Sequence, residues 1–269
     1  MKQAPLPAVL AIHGSAGSGR QWNGLRDRLP ERRIMAPCVP CADAPERLAF
    51  FADIVRRQSA PVDLVAHSFG AAIAVKLANA LPNEVNSLTI YDPVVPVTDA
   101  RSHGWLPEEL WQLWQTHRHS TPDRLMQAFV NYWGTPHLWD QLSPNARRAL
   151  MALADEVRRD FRQMTAGDWI APATTFGGAM HLILGSTSPG VIRKMSDDLL
   201  RRYPHAQILH APGLGHMAPT THPDCINEMF ARCVTLPGPA LSGTTKDPDG
   251  SACPTGGPSE PDRPASRSA

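Results

Sequence analysis

Six short apolar runs, each bounded by turn-forming residues and separated by stretches of helical periodicity, restrict this chain to few folds. They are Ala8–Ile12, Ile34–Val39, Val62–Ala66, Ser87–Tyr91, His181–Leu184 and Ala206–His210. Short runs that are apolar throughout suit strands buried on both faces. Helical patterns fall between them at Arg20–Leu29, Ala44–Arg57, Gly70–Ala80, Val191–Tyr203 and Asp224–Val234. The alternation predicts an α/β fold, a mostly parallel sheet of about six strands flanked by helices. With 42% hydrophobic and 19% charged residues in 269, the chain can bury a large core in one domain, or in one domain plus a subdomain.

One stretch breaks the pattern. Between Tyr91 and His181 lie about ninety residues with no clear strand, carrying six of the seven tryptophans. Within it Ala146, Leu150, Leu153, Val157, Phe161 and Met164 recur at helical spacing, an apolar stripe that should face something apolar. The expected division is therefore a sheet-bearing core from residues 1–94 and 176–235, interrupted by a helical insert over 95–175. Residues 236–269 hold 7 Pro, 5 Gly and 8 Ser or Thr and no aromatic residue. Such a segment has little to bury against its ordering entropy, so a disordered tail is expected.

Charge and hydropathy exclude several functions. Lys+Arg 26 against Asp+Glu 25 leaves a formal charge of +1, with no broad attraction for nucleic acid or an anionic membrane. The longest apolar candidate, Ala71 to Leu81, is interrupted by Lys76 and Asn79, so no membrane span is expected. The opening residues run from an apolar stretch straight into His13-Gly14 with no cleavage-site pattern, which reads as a first strand and not a signal peptide. Five cysteines leave at least one unpaired and do not make a disulfide framework; a reducing cytoplasm is the expected location.

The sharpest chemical signal is Val65-Ala66-His67-Ser68-Phe69-Gly70-Ala71, between a predicted strand and a predicted helix. A serine exposed on so tight a turn needs small residues two positions either side; Ala66 and Gly70 supply them. The helix N-terminus beneath Ser68 offers backbone N–H groups to a developing oxyanion. Taken alone, the motif also suits an ordinary strand–turn–helix with a capping serine. Two loops sharpen it. His13-Gly14-Ser15-Ala16-Gly17 follows the first strand and can aim the Ser15 N–H at the oxyanion that the Phe69 N–H would meet. Ala211-Pro212-Gly213-Leu214-Gly215-His216-Met217 places a histidine on a glycine-flanked loop after the last strand.

Together these elements resemble the α/β-hydrolase family over about Pro5 to Val234. The resemblance implies Ser68 as nucleophile, His216 as general base, and the amides of Phe69 and Ser15 as oxyanion hole. It also implies that the insert is a cap shaping the substrate pockets, and that the usual first hairpin is missing, leaving six parallel strands. The acid departs from the commonest family pattern. In Leu184-Gly185-Ser186-Thr187-Ser188-Pro189 the expected carboxylate position is Ser188. Some family members carry the acid after the preceding strand, where Ile90-Tyr91-Asp92-Pro93 offers Asp92. Asp92 is also what a strand-end turn before proline would contain. Asp63 opens its strand and falls at the far end, while Asp197 and Asp198 read as solvated helix residues.

What the resemblance implies is a serine hydrolase that needs no cofactor and cleaves small to medium carboxylic esters through an acyl-enzyme. The ester is then its small-molecule partner. A serine in the turn argues against epoxide hydrolysis and dehalogenation, which use an aspartate in this family. The same triad serves C–C bond hydrolases, lactonases, acyltransferases and perhydrolases, and a non-catalytic ligand-binding protein could keep the fold. Trp105, Trp111, Trp114 and Trp133 are candidates to line a substrate pocket, although packing explains most tryptophans. Cys38-Val39-Pro40-Cys41 has redox spacing but follows a strand instead of opening a helix. His117-Arg118-His119 lacks a third ligand nearby, so no metal is expected. Gly17-Ser18-Gly19 lacks the lysine of a phosphate loop.

Overall fold

In the computed structural model, residues 6–100, 103–171 and 174–235 are described. The strands are β1 (Val9–Ile12), β2 (Ile34–Met35), β3 (Val62–Ser68), β4 (Val85–Pro93), β5 (Ala179–Gly185) and β6 (Gln207–Ala211). They form one sheet in the order β2-β1-β3-β4-β5-β6, every pair parallel. The six-stranded parallel sheet expected from the sequence is therefore present.

The chain winds outward from β1 to β2, then returns to place β3 on the other side of β1. That reversal opens a crevice beyond the carboxyl ends of β1 and β3, where open parallel sheets bind ligands.

Alternate strand residues serve opposite faces, as the two-residue period of a strand requires. Leu10, Ile12, Leu64, Ala66, Leu88 and Ile90 join a core with α2 (Ala44–Arg56), α3 (Gly70–Ala80) and α9 (Gly190–Arg202). Val9, Ala11, Val65, Tyr91 and Ile183 face Leu25 of α1 (Asn23–Arg28) and Ile226 and Phe230 of α11 (Pro223–Thr235).

Several elements differ from their sequence-based bounds. β2 stops at Met35, not Val39, because Pro37 and Pro40 lack the N–H groups that would extend the ladder. The first predicted helix divides into a 3₁₀ turn, Gly19–Trp22, and α1. The insert stripe runs over two helices, because Ala152 and Leu153 separate α7 (Pro144–Met151) from α8 (Ala154–Ala166). Before them come α4 (Glu108–His117), α5 (Pro122–Trp133) and α6 (Leu138–Gln141), so among the described residues five α-helices separate β4 from β5. A short α10 (Ala218–Thr221) precedes α11. Among the described residues no helix is long and apolar enough to cross a membrane. The tail expected over 236–269 lies outside the described residues.

Asp198 corrects an expectation. It is fully buried, accepting from Thr98 N and Oγ1 and pairing with Arg201 and Arg202, which hold its carboxyl below the ordinary aspartate value against the opposing effect of burial. Helical periodicity fixes which face a residue occupies but not whether a neighbouring loop closes over it. Asp197 is exposed, as expected. Asp63 lies at the far end of β3, held by Arg32, Asn86 and Ser87.

The start of α3 packs tightly on the end of β1. A Cβ at Gly70 would stand 2.5 Å from the Ile12 carbonyl oxygen and 2.6 Å from that of His13. Backbone cannot yield as a side chain can, so Gly70→Ala should cost about 1–3 kcal/mol in equilibrium unfolding. Gly190→Ala, where an added Cβ meets nothing within 4 Å, should change stability by less than about 0.5 kcal/mol.

Candidate active site

Ser68 ends β3 with φ +55°, in the left-handed region that costs a non-glycine residue energy. The surroundings hold that conformation. Gly70 lets α3 begin directly behind the turn, and a Cβ on Gly14 would fall 2.7 Å from Ser68 Cβ. The loop after β1 can thus lie against the serine only because residue 14 is glycine.

His216 stands on the loop between β6 and α10, its Nε2 2.9 Å from Ser68 Oγ. The loop is fastened at several points. Tyr91 Oη donates to the Gly215 carbonyl at 2.7 Å, His67 Nε2 donates to the His216 carbonyl at 3.0 Å, and Thr187 N donates to the Leu214 carbonyl at 3.0 Å. The His216 ring stacks on Trp133 with centroids 4.1 Å apart, and His67 lies at 4.9 Å.

Asp92 follows in line. It is fully buried at the end of β4, with φ +45°. Its Oδ2 lies 3.3 Å from His216 Nδ1, out of line for a hydrogen bond, and among the described residues Nδ1 has no other partner. Catalytic hydrogen bonds in unliganded sites are commonly long or poorly aligned in this way. The Gly185 amide donates to Asp92 Oδ1 at 2.9 Å, and Ser188 Oγ donates to Oδ2. Ser188 thus steadies the Asp92 carboxylate. Sequence reading located both residues but not their contact.

The loop carrying Ser15 is closed by Gly17 N donating to the Gly14 carbonyl at 3.1 Å, with Ala16 at φ +54°. His13 braces it. Its Nε2 accepts the Val39 N–H at 2.9 Å, so Nδ1 carries the proton and donates to the Gly14 carbonyl at 2.8 Å. Among the described residues, neither the Ser15 nor the Phe69 amide is used in a turn or loop backbone hydrogen bond.

Behind this loop lies a buried ion pair absent from the sequence reading. Ser15 Oγ donates to Asp160 Oδ2 at 2.6 Å, and Arg47 Nη1 meets Asp160 Oδ1 at 2.6 Å. Burial raises the Asp160 carboxyl above the ordinary aspartate value, opposed by Arg47 and by the Ser15 hydroxyl. Arg47 Nε is held by the Pro40 carbonyl at 2.8 Å, and its guanidinium lies 5.7 Å from the Phe69 ring centroid. One charged residue between apolar positions of α8 gave no sequence signal distinguishing it from a solvated face.

Two cavities meet at Ser68. One of about 320 Å³ is lined by His216, Met217, Gly17, Leu138, Leu142 and Leu150. The other, about 20 Å³, is lined by Phe69, Val94, Leu110, Asp160, Phe161 and Met164. Ser15, Ser68, Phe129 and Trp133 border both. Of the four candidate tryptophans, only Trp133 borders these cavities. Trp114 stacks on Phe161 from behind at 5.3 Å, and Trp105 and Trp111 pack near Gly167 and Gly104. Cys38 and Cys41 are exposed free thiols, and Arg159 contacts Cys41.

The chain is similar to known proteins in sequence and in fold. Residues 9–224 match the model of the alpha/beta hydrolase family, and the chain belongs to that family. A stretch of 103 residues is 36% identical to lipase LipV of Mycobacterium tuberculosis, covering 35% of this chain and 40% of that lipase. The fold is similar to a bromoperoxidase from Bacillus anthracis (TM-score 0.67, 16% identity, 85% of this chain and 92% of that one). It is similar also to an enol-lactonase from Burkholderia xenovorans (TM-score 0.65, 12% identity, 88% and 94%).

Two predictions follow from the buried charges. Asp160→Ala would leave Arg47 charged and unpaired in the interior, and should cost about 3–5 kcal/mol in chemical denaturation. The second concerns pH. Burial holds His13 and His67 below the ordinary histidine value of 6.5, with His216 adding to the effect at His67. Both sides of the folding equilibrium are neutral above that value. Below it the unfolded chain takes up protons first, so stability falls with pH. Glu156 and Asp160, raised by burial, act in the opposite sense. Unfolding free energy should fall by about 1–2 kcal/mol between pH ~7.5 and pH ~5.5, and by less in His67→Gln.

Proposed function

We propose that this protein is a serine hydrolase of carboxylic esters of small to medium size, with Ser68, His216 and Asp92 as its catalytic triad. The observation that carries this reading is the line from Ser68 Oγ to His216 Nε2 at 2.9 Å and from His216 Nδ1 to Asp92 Oδ2 at 3.3 Å, at the edge of an apolar cavity. The helices between β4 and β5 act as a cap over the serine. The lipase similarity agrees with this activity.

Ser68 Oγ attacks the ester carbonyl carbon as its proton passes to His216 Nε2. The carbonyl oxygen takes the displaced electron pair and is met by the N–H groups of Ser15 and Phe69. Each such donor is worth about 3–4 kcal/mol in hydrolases of this kind. Asp92 keeps the imidazole in the tautomer that can accept at Nε2 and stabilises the imidazolium. Collapse of the adduct breaks the bond to the alcohol oxygen, which receives the proton from His216. Water then enters, gives its proton to Nε2 and attacks the acyl carbon, which releases the acid and restores Ser68.

Ser68→Ala should abolish p-nitrophenyl ester turnover and fluorophosphonate labelling while the thermal melt stays near wild type. Normal turnover in a folded variant would overturn the mechanism. Asp92→Asn should lower kcat by at least ~10² at neutral pH, because the amide disfavours the required tautomer and removes the supporting charge. Asp198→Asn should reduce stability while sparing kcat of the folded fraction, since Asp198 is engaged by Thr98, Arg201 and Arg202. Near-normal turnover by folded Asp92→Asn would move the acid elsewhere and leave Ser68 and His216 standing.

A further inference from the structure

The two cavities differ in size by more than tenfold, at about 320 and 20 Å³, and the chemistry of acyl transfer decides which part of an ester each receives. In the tetrahedral adduct the carbon carries four groups: Ser68 Oγ, the oxyanion, the leaving oxygen and the acyl chain. The leaving oxygen must come within reach of His216 Nε2, which returns the proton to it. The oxyanion is directed at the Ser15 and Phe69 amides. The acyl chain takes the remaining direction, away from His216. His216 borders the larger cavity only, and Phe69 the smaller only.

We infer that the smaller cavity is the acyl site and the larger the alcohol site, so that the preferred substrates join an acetyl- or propionyl-sized acid to a bulky apolar alcohol. This inference rests on the ester-hydrolase reading above. A space of about 20 Å³ holds one or two water-sized groups at roughly 10–15 Å³ each. Val94, Leu110 and Met164 close it with buried aliphatic side chains, and Phe161 with an aromatic ring. Asp160 adds no cationic preference there, because one oxygen accepts from Ser15 and the other from Arg47. The larger cavity falls in the ~300–1,000 Å³ range of small-molecule sites. Leu138, Leu142 and Leu150 give it an apolar wall, and Phe129 and Trp133 form the partition shared by the two.

Hexyl acetate and ethyl hexanoate test the assignment, because they are isomers that differ chiefly in which side of the ester carries the long chain. For the wild type, kcat/KM measured by pH-stat titration should favour hexyl acetate by at least ~10-fold, since even one misfitted methylene can discriminate by that much. Met164→Ala should narrow the ratio by admitting longer acyl chains. Leu142→Trp should narrow it from the other side, by lowering turnover of hexyl acetate; this arm stands even if Met164→Ala does not fold. Equal turnover of the isomers, or a preference for ethyl hexanoate, would overturn the size assignment and leave the ester reading intact. Hydrolysis of neither isomer would withdraw the ester reading and this assignment together.

Discussion

The site depends on how closely β1 and β3 end beside one another. Ser68 occupies a left-handed backbone conformation that an L-residue adopts at a cost, and only surrounding structure can hold it there. Gly14 and Gly70 bring that structure close enough: the loop after β1 lies on the serine's own Cβ, and α3 begins against the carbonyls of Ile12 and His13. The two amides that would meet an oxyanion, those of Ser15 and Phe69, come from these two loops. The close approach that enforces the strained turn therefore also brings these two loops together, and loosening one loosens the other.

Asp92 illustrates how a parallel sheet can hold a charged group at either of two neighbouring strand ends. β4 and β5 are parallel neighbours, so their carboxyl ends deliver loops to the same place. A carboxylate on either loop can face the histidine of the loop after β6. Asp92 comes from β4, and the β5 loop supplies the Gly185 amide and the Ser188 hydroxyl that hold it. A buried carboxylate needs such donors, since desolvation would otherwise favour its neutral form. Ser188 is thus a hydrogen-bond donor to the Asp92 carboxylate, which makes its place in the sequence intelligible.

The fold was legible because both its periods are local. A parallel strand buried on both faces is an apolar run, and an amphipathic helix repeats its stripe, so all six strands and the core helices fall close to their expected places. The end of β2 and the break between α7 and α8 were less so, since prolines trim one and Ala152 and Leu153 interrupt the other. Ser68, Asp92 and His216 could be proposed because each follows a strand in a loop with small neighbours. Asp160, Arg47 and Asp198 could not be singled out, because a buried charge is defined by partners far away in sequence. Asp160 meets Ser15 and Arg47, and Asp198 meets Thr98. Trp133 is distinguished from Trp105 and Trp111 only by bordering the cavities at Ser68.

The Arg47–Asp160 pair links the insert to the sheet-bearing core in a way that apolar packing would not. α8 also packs through apolar residues such as Phe161, which stacks on Trp114, but apolar contacts are non-directional and permit small slides. Charged partners buried together accept only a narrow geometry, because any separation exposes an unpaired ion to a low-dielectric interior. Asp160 is joined to Arg47 of α2 on one side and to the Ser15 hydroxyl on the other. Gln163, one turn further along α8, donates to the Ala42 carbonyl at 3.0 Å and accepts from Trp169 at 3.2 Å. The placement of the Ser15 amide is thereby tied to the docking of α8. A buried ion pair contributes little net stability, but here it converts the position of the insert into the position of a loop that borders the serine. That coupling gives the chain a reason to retain two charges where apolar residues would pack at lower cost.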